Sequence, residues 1–483
     1  MKNGKRGEML AGEEVGKLIY KLSLPSIVGM MVHALYNVMD TVFVGKGVGT
    51  FGIGGIAIVF PIQMIIFALG QTIGIGGASL ISRRMGARDR DGMAQTFGNM
   101  VLLSLILGVL VLVVGRVAMD PLLGLFGATE GILPYSQEYF EIIILAVPLI
   151  TLSIAGGNAV RAEGNATFAM MAMLLGSVLN MILDPLFIFG LDMGIRGAAL
   201  ATVISISATT FFLLAYFVSG QSEILMGLKY LRLTGKILWE IIAVGSASFV
   251  MAGAFSLTMA LVNNTLRALG GPVEIAAFGV IHRVFSFIFM PIMGLAQGMQ
   301  PIVGFNYGAG QFRRVRRGVR LTLMTAVVIA CTGFFAVLLF PDAIMKAFTN
   351  DSSLLEVGKE AMRICVFGLP LVGFQIIGGS LFQALGKAIP ALFLSLSRQV
   401  LILIPLMLTL PRFVGLKGVW LSFPTADIFS SVMTSMFILW AMKRMPGTGT
   451  VTVPSAHIMV PSGDPEKKQP LLAPIVQEQA GGQ

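Results

Sequence analysis

The sequence predicts an all-α polytopic membrane protein with twelve transmembrane helices in two six-helix bundles related by pseudo-two-fold symmetry. Three observations carry that prediction. Of 483 residues, 55% are hydrophobic and 12% charged, a balance outside the range of soluble domains. The apolar residues are gathered into runs of about 20 or more, the length an α-helix needs to cross the hydrocarbon core. And the chain repeats itself. Gly86-Ala87, Pro148-Leu149 and Gly156-Gly157 recur as Gly308-Ala309, Pro370-Leu371 and Gly378-Gly379, each 222 positions later. After one deletion, Gly194 and Gly197 recur as Gly415 and Gly418 at 221. One offset held over so long a stretch marks an internal duplication. Six spans per copy is an even number, so both copies enter the membrane in the same sense, about an axis along the membrane normal.

In chain order the expected spans are 18–43, 51–80, 94–118, 138–162, 166–190, 196–219, 238–269, 275–305, 318–340, 358–385, 389–411 and 417–442. They divide the chain into an N-terminal cytoplasmic segment (1–17), a first lobe (18–219), a cytoplasmic linker (220–237), a second lobe (238–442) and a tail (443–483). The tail has no apolar period and is expected to be a disordered cytoplasmic extension. The polar start leads directly into the first long span, so no cleaved signal peptide is expected. Pro25, Pro61, Pro148, Pro185, Pro291, Pro301, Pro370, Pro390, Pro405 and Pro424 fall inside spans or at their ends. Each removes a backbone donor, and the freed carbonyls are tolerated where they line a cavity, which suits movable helices better than a static bundle. The glycine run from Gly70 to Gly77 reads as a close-packing surface, because it lacks the strand-turn-helix context of a phosphate cradle.

The net charge of +10 implies no nucleic-acid partner, because the bases sit in short loops between spans, where they set topology. Loops on one side carry fourteen bases, among them Arg83, Arg84, Arg88, Arg90, Arg313, Arg314, Arg316 and Arg317, against eight on the other. The richer side is expected to face the cytoplasm of a cell with this protein in its plasma membrane, and both termini with it. Cys331 and Cys365 are the two cysteines, each within an apolar run, so neither a disulfide framework nor a thiolate metal site is supported.

Within this apolar background the polar residues are informative. Asn180 and Asp184 lie four apart in the fifth span, which stacks them on one helix face. An acid in hydrocarbon costs roughly 2.5–3.5 kcal/mol on insertion scales and so marks a functional site by default. A packing hydrogen bond is the alternative, and it weighs more for Asn180 than for Asp184. His33, Tyr36, Asn37 and Asp40 form a second stripe at helical spacing in the first span. The topology sets Asp40, Asn180, Asp184, Thr202 and Tyr139 at one depth, in the outer half of the first lobe. Two carboxylates in a low-dielectric site repel, so the pair invites a proton or a small hard cation.

Several stretches resemble the multidrug and toxic compound extrusion (MATE) transporters, in particular the DNA-damage-inducible (DinF) branch and its archaeal members. They are LSLPSIVGMMVHALYNVMDTVFVG (22–45), SRRMGARD (82–89), AVPL (146–149), RAEGN (161–165), SVLNMILDPLFIF (177–189) and GIRGAALATVIS (194–205). The resemblance reaches to about residue 445. It implies two six-helix lobes, alternating access, and export of organic compounds in exchange for H⁺ or Na⁺ as coupling ion, with no other cofactor. It also implies that Asp40, Asn180, Asp184 and Thr202 form the cation or proton site, where Na⁺ would be the metal. Tyr36 and Tyr139 stand beside that site, with Asn37 in its polar network and Pro25 at the bend of the first helix.

Other branches of the family place acids in spans seven, eight or ten, where this chain has no well-buried carboxylate, Glu274 and Glu360 being at helix ends. Position 184 maps onto Leu406 and 180 onto Ile402, so the second lobe is expected to lack an ion site. His282 and Arg283 form a basic pair in span eight, read first as snorkelling or structural and second as a substrate contact. The expected substrate is an amphipathic or cationic organic compound held between the lobes by some of the 30 Met and 33 Phe residues. The expected protein is a monomer in a lipid bilayer. A flippase for lipid-linked sugars in a related superfamily is the alternative function. An enzyme is disfavoured, because His33, His282 and His457 have no metal-ligand spacing and no nucleophile motif is present.

Overall fold

The computed structural model describes residues 5–446, apart from the side chains of Asn37, Thr41 and Thr50. The expected network member Asn37 and the expected tail beyond 446 therefore fall outside the described residues. The first three spans are α2 (Val15–Gly47), α3 (Thr50–Gly86) and α4 (Arg90–Val117), preceded by a short helix α1 (Lys5–Gly12). After α5 (Met119–Leu125), the fourth span is a pair, α6 (Leu133–Leu145) and α7 (Val147–Ala162), bent by 54°. The break falls where Pro148 cannot supply an amide hydrogen and would crowd the carbonyl four residues earlier. α8 (Ala166–Pro185), which runs into a π-helical turn at Leu186–Gly190, and α9 (Gly194–Val218) complete the first six.

The second set comprises α10 (Gly235–Leu269), α11 (Pro272–Gly308) and α12 (Phe312–Leu339), then a short α13 (Pro341–Lys346). Span ten is α14 (Ser352–Cys365) with α15 (Leu369–Ala384). Span eleven is α16 (Ala388–Leu396), a π-helical segment Ser397–Leu403 and α17 (Ile404–Val414), and span twelve is α18 (Leu416–Arg444). Eleven helices among the described residues are long and apolar enough to cross a membrane, and the bent pair makes twelve. Each coincides with an expected span to within several residues. The short helices α1, α5 and α13 were not expected, since each is too brief to show a period.

The duplication is visible where the copies meet. A Cβ on Gly86 would stand 2.0 Å from the carbonyl oxygen of Phe305, and one on Gly308 would stand 2.0 Å from that of Arg83. Residues 83 and 86 map onto 305 and 308 by the repeat, so the two contacts are symmetry mates, and only glycine permits the approach. Both lie at the basic-loop end. One buried apolar cluster joins the lobes there, through Leu22, Ile81, Val160, Ile302 and Leu381. Toward the opposite end each lobe has its own cluster, one around Val44, Phe140 and Ala198 and the other around Phe278, Met362 and Trp420.

Helix α1 is fastened under that closed end. Its Leu10 is fully buried. Arg6 Nη1 donates to Glu163 Oε2 (3.1 Å), to the Tyr216 hydroxyl and to the Gln221 carbonyl (3.0 Å), all in the first lobe. From the second lobe, Arg314 Nη2 donates to the carbonyls of Leu10 (3.1 Å) and Glu13 (2.6 Å). Glu163 also accepts from Ser222 Oγ (2.5 Å) and from the Glu223 amide (2.9 Å). Burial outweighs these partners and pushes its carboxyl up to about 7.

Candidate ion site and the second-lobe ion pair

Five helices build the first-lobe site. Asp184 is fully buried at the end of α8, immediately before Pro185 and the π-helical turn, an irregularity that recurs at functional positions. The spacing of four that stacks Asn180 over Asp184 lets the Asn180 amide nitrogen donate to Asp184 Oδ2 at 2.7 Å. The Asn180 oxygen accepts from Thr202 Oγ1 (3.3 Å) and N (3.2 Å) of α9. This orientation of the amide is the one that satisfies both neighbours. Asp40, half-buried on α2, comes within hydrogen-bonding reach of Asp184. Tyr36 of α2 and Tyr139 of α6 stand beside Thr202. Gln63 Nε2 of α3 donates to Tyr139 at 3.4 Å, a contact with no precursor in the sequence reading.

The structure therefore brings together Tyr36, Asp40, Tyr139, Asn180, Asp184 and Thr202. Their donors are all oxygen, no ion pair involves either carboxylate among the described residues, and two acids share one site. Such a set suits one proton shared by the dyad or one small hard cation. Pro25 lies within α2, which runs as one helix from Val15 to Gly47, so it is more than three turns from Asp40 and outside the site.

The second lobe holds charges that the sequence reading did not single out. It holds a buried acid, Asp427 of α18, that accepts from Arg398 Nε at 2.5 Å. Gln375 Nε2 donates to the Asp427 carbonyl (3.0 Å) and carboxylate (3.3 Å) and to Ser431 Oγ (3.0 Å). Gly368 leaves room for that carboxylate, since a Cβ there would stand 2.4 Å from Oδ2. Charged groups are thus present in both lobes. The first-lobe acids have no built-in cation, whereas the second-lobe acid has one.

Between the lobes at the closed end lies a polar cavity of about 10 Å³, room for a single water. Asn158, Arg161, Gln297, Gln300 and Gln383 line it.

Two repeated helix bundles with a buried acidic site in one of them define a polytopic transporter. A family model described as MatE matches residues 25–186 and again 246–409, one match per lobe, and the chain belongs to that family, the MATE transporters. It is a multi-pass membrane transporter and not an enzyme. Over 429 residues it is 29% identical to the multidrug export protein MepA of Staphylococcus saprophyticus, covering 89% of this chain and 94% of that protein. Among solved structures, an outward-facing multidrug resistance MATE family transporter of the MOP superfamily superimposes with a TM-score of 0.87. Identity is 28%, over 92% of this chain and 99% of that one. A chain named only as protein A is 42% identical, with a TM-score of 0.82, over 88% and 95% of the two chains.

Proposed function

We propose that the protein is a secondary antiporter that exports organic amphiphiles in exchange for H⁺ or Na⁺ by alternating access. Asp40, Asn180, Asp184 and Thr202 seat the coupling ion, and Tyr36 and Tyr139 tune it. The lobes, 18–219 and 238–442, rock against each other, and the glycine contacts close the basic-loop end, which faces the cytoplasm of the plasma membrane with both termini. The transporter works as a monomer. One observation carries the reading: two carboxylates from different helices lie within hydrogen-bonding reach, one fully buried, and among the described residues no basic residue is paired to either. Charge repulsion makes that arrangement costly when empty, and ion occupancy relieves it. The relatives' multidrug export activity supports the substrate class. The flippase alternative has no observation in its favour.

The test is efflux of an amphiphilic dye from proteoliposomes under an imposed pH gradient and, separately, an imposed Na⁺ gradient. One gradient should drive export in the wild type, and Asp40→Asn and Asp184→Asn should each lose gradient-driven export while reconstituting normally. Efflux at the wild-type rate in both variants would reduce the acids to helix-packing groups.

A further inference from the structure

The basic pair in span eight is not used by the ion site, and its position in the fold assigns it a task. Along α11, residues 283, 287, 290, 294, 297, 301, 304 and 308 recur at steps of four and three, which places them on one helix face. At the closed end this face meets the first lobe. Gly294 packs on Ile27, Gln297 and Pro301 line the interlobe cavity with Ser79 and Asn158, Gly304 packs on Ser82 and Gly308 on Arg83. Followed upward, the same face carries Phe287 and Arg283, both exposed. The matching face of α3 runs from Ser82, Ala78 and Ile75 in the cavity up to the exposed Phe67, Met64 and Phe60. Both faces continue from the contact between the lobes, so helical register puts Arg283 on the side of α11 that meets the first lobe.

Arg283 has no carboxylate of its own. Among the described residues it makes no ion pair, because the buried acid of its lobe, Asp427, is already engaged by Arg398 and Gln375. His282, next to Arg283 in the chain, has its ring 5.6 Å from that of Phe255. Two guanidiniums against one carboxylate leave a positive excess on the second-lobe wall. The first-lobe site carries two acids and no base. A guanidinium kept within a membrane span without a partner is costly unless a ligand supplies one, and its planar fork suits a carboxylate or phosphate.

We propose that Arg283 receives the anionic group of the transported amphiphile. This rests on the antiport reading above and narrows its substrate class: zwitterionic or acidic amphiphiles over simple cations. The apolar body of such a molecule lies between Phe287 and the Phe60, Met64 and Phe67 face, and any cationic end points toward the acidic lobe. The phosphate of an anionic lipid offers the same chemistry and would occupy the same position.

The experiment uses a matched pair of dyes, rhodamine 19, which carries a free carboxylate, and rhodamine 6G, its ethyl ester. Binding of each to the purified protein in phosphatidylcholine vesicles is followed by fluorescence polarisation for wild type, Arg283→Gln and Arg283→Lys. The expected result is that Arg283→Gln weakens rhodamine 19 about tenfold or more, as loss of a charge-assisted hydrogen bond requires, while rhodamine 6G is held at least as well as before. Arg283→Lys should fall between. Repeating the titration with phosphatidylglycerol in the vesicles separates the sources. Competition against rhodamine 19 in wild type but not in Arg283→Gln assigns the site to a lipid phosphate as well, and no competition assigns it to the free substrate. An acid-to-ester affinity ratio that is the same in wild type and Arg283→Gln overturns the proposal. Gradient-driven export of rhodamine 6G, measured alongside, reports on antiport separately, so the failure of one reading is distinguishable from the failure of the other.

Discussion

The Arg398–Asp427 pair offers a prediction whose size follows from its geometry. Asp427 is 4% exposed, and its carboxylate has two side-chain partners, Arg398 Nε at 2.5 Å and Gln375 Nε2 at 3.3 Å. Arg398→Met therefore leaves a buried charge with one neutral donor, and removing one partner of a buried pair costs about 3–5 kcal/mol. Arg398→Met/Asp427→Leu removes both charges and replaces them with apolar groups of similar bulk, which is close to neutral. With an unfolding entropy of roughly 2 cal/mol/K per residue over about 440 residues, the single variant should melt about 3–5 °C below wild type and the double variant within about 1 °C of it. Intrinsic tryptophan fluorescence of the detergent-purified protein reads this directly, since Trp420 lies on the same helix. Two results would refute the reasoning: a single variant as stable as wild type, or a double variant as unstable as the single. Either would mean that Arg398 is not a fixed counter-ion for Asp427.

Three further outcomes are expected. Glu163 has its carboxyl raised to about 7 by burial, with Arg6 of α1 pulling it the other way, so the fold as a whole favours the protonated form while the α1 contact itself favours the ionised one. The stabilisation is fully present below about 4.5, and lost as pH rises through 7, a swing of about 3 kcal/mol. The melting temperature of the detergent-purified protein should fall between pH 5 and pH 8 in wild type. Glu163→Gln should remove that dependence, and a slope unchanged in the variant would count against it. Single cysteines placed in 82–92 or 306–317 should resist an impermeant maleimide in intact cells and react after permeabilisation. Immediate labelling from outside would invert the topology. Pro25→Ala should weaken the dependence of substrate affinity on the coupling ion while ion binding persists, and full transport with unaltered ion dependence would exclude the first-helix bend as the coupling element.

The spans were legible because hydropathy alone marks them, and the duplication because one offset preserves glycine and proline contacts that the closed end needs. The gathering of the first-lobe polar side chains was legible for a related reason: Asp40 and Asp184 are expensive in an apolar run, and the spacing to Asn180 is helical. Other features left weaker traces. Pro148 breaks the fourth span while α2 and α3 run through Pro25 and Pro61, so proline marks where a helix can bend and packing decides whether it does. The docking of α1 was hidden because its anchor is a single leucine and its bonds reach loops far away in sequence. The second-lobe pair was hidden by the repeat itself, since Arg398 maps onto Gly176 and Asp427 onto Ile206. Its signal was nonetheless present. One arginine and one aspartate, each alone near the middle of consecutive apolar spans, are each expensive without the other.

The unequal charging of the lobes constrains how coupling can work. An ion drives transport only by binding more tightly to one conformation than to another. In the second lobe the cation beside the buried acid is Arg398, tethered to the chain and present in every conformation, so it cannot transmit the concentration of an external ion. On the antiport reading proposed above, the corresponding place in the first lobe, beside Asp40 and Asp184, takes its cation from solution, so its occupancy would follow the gradient. The rearrangement that reports occupancy therefore belongs to the helices that carry those acids and their hydrogen-bond partners, α2, α8 and α9. Of these, α2 is the helix that packs against the second lobe, where Ser23 and Ile27 meet Gly298 and Gly294 of α11. A shift of α2 on ion binding would be felt directly at the glycine contacts that hold the lobes together, so a single helix connects the ion seat to the seam that must part for the transporter to open inward.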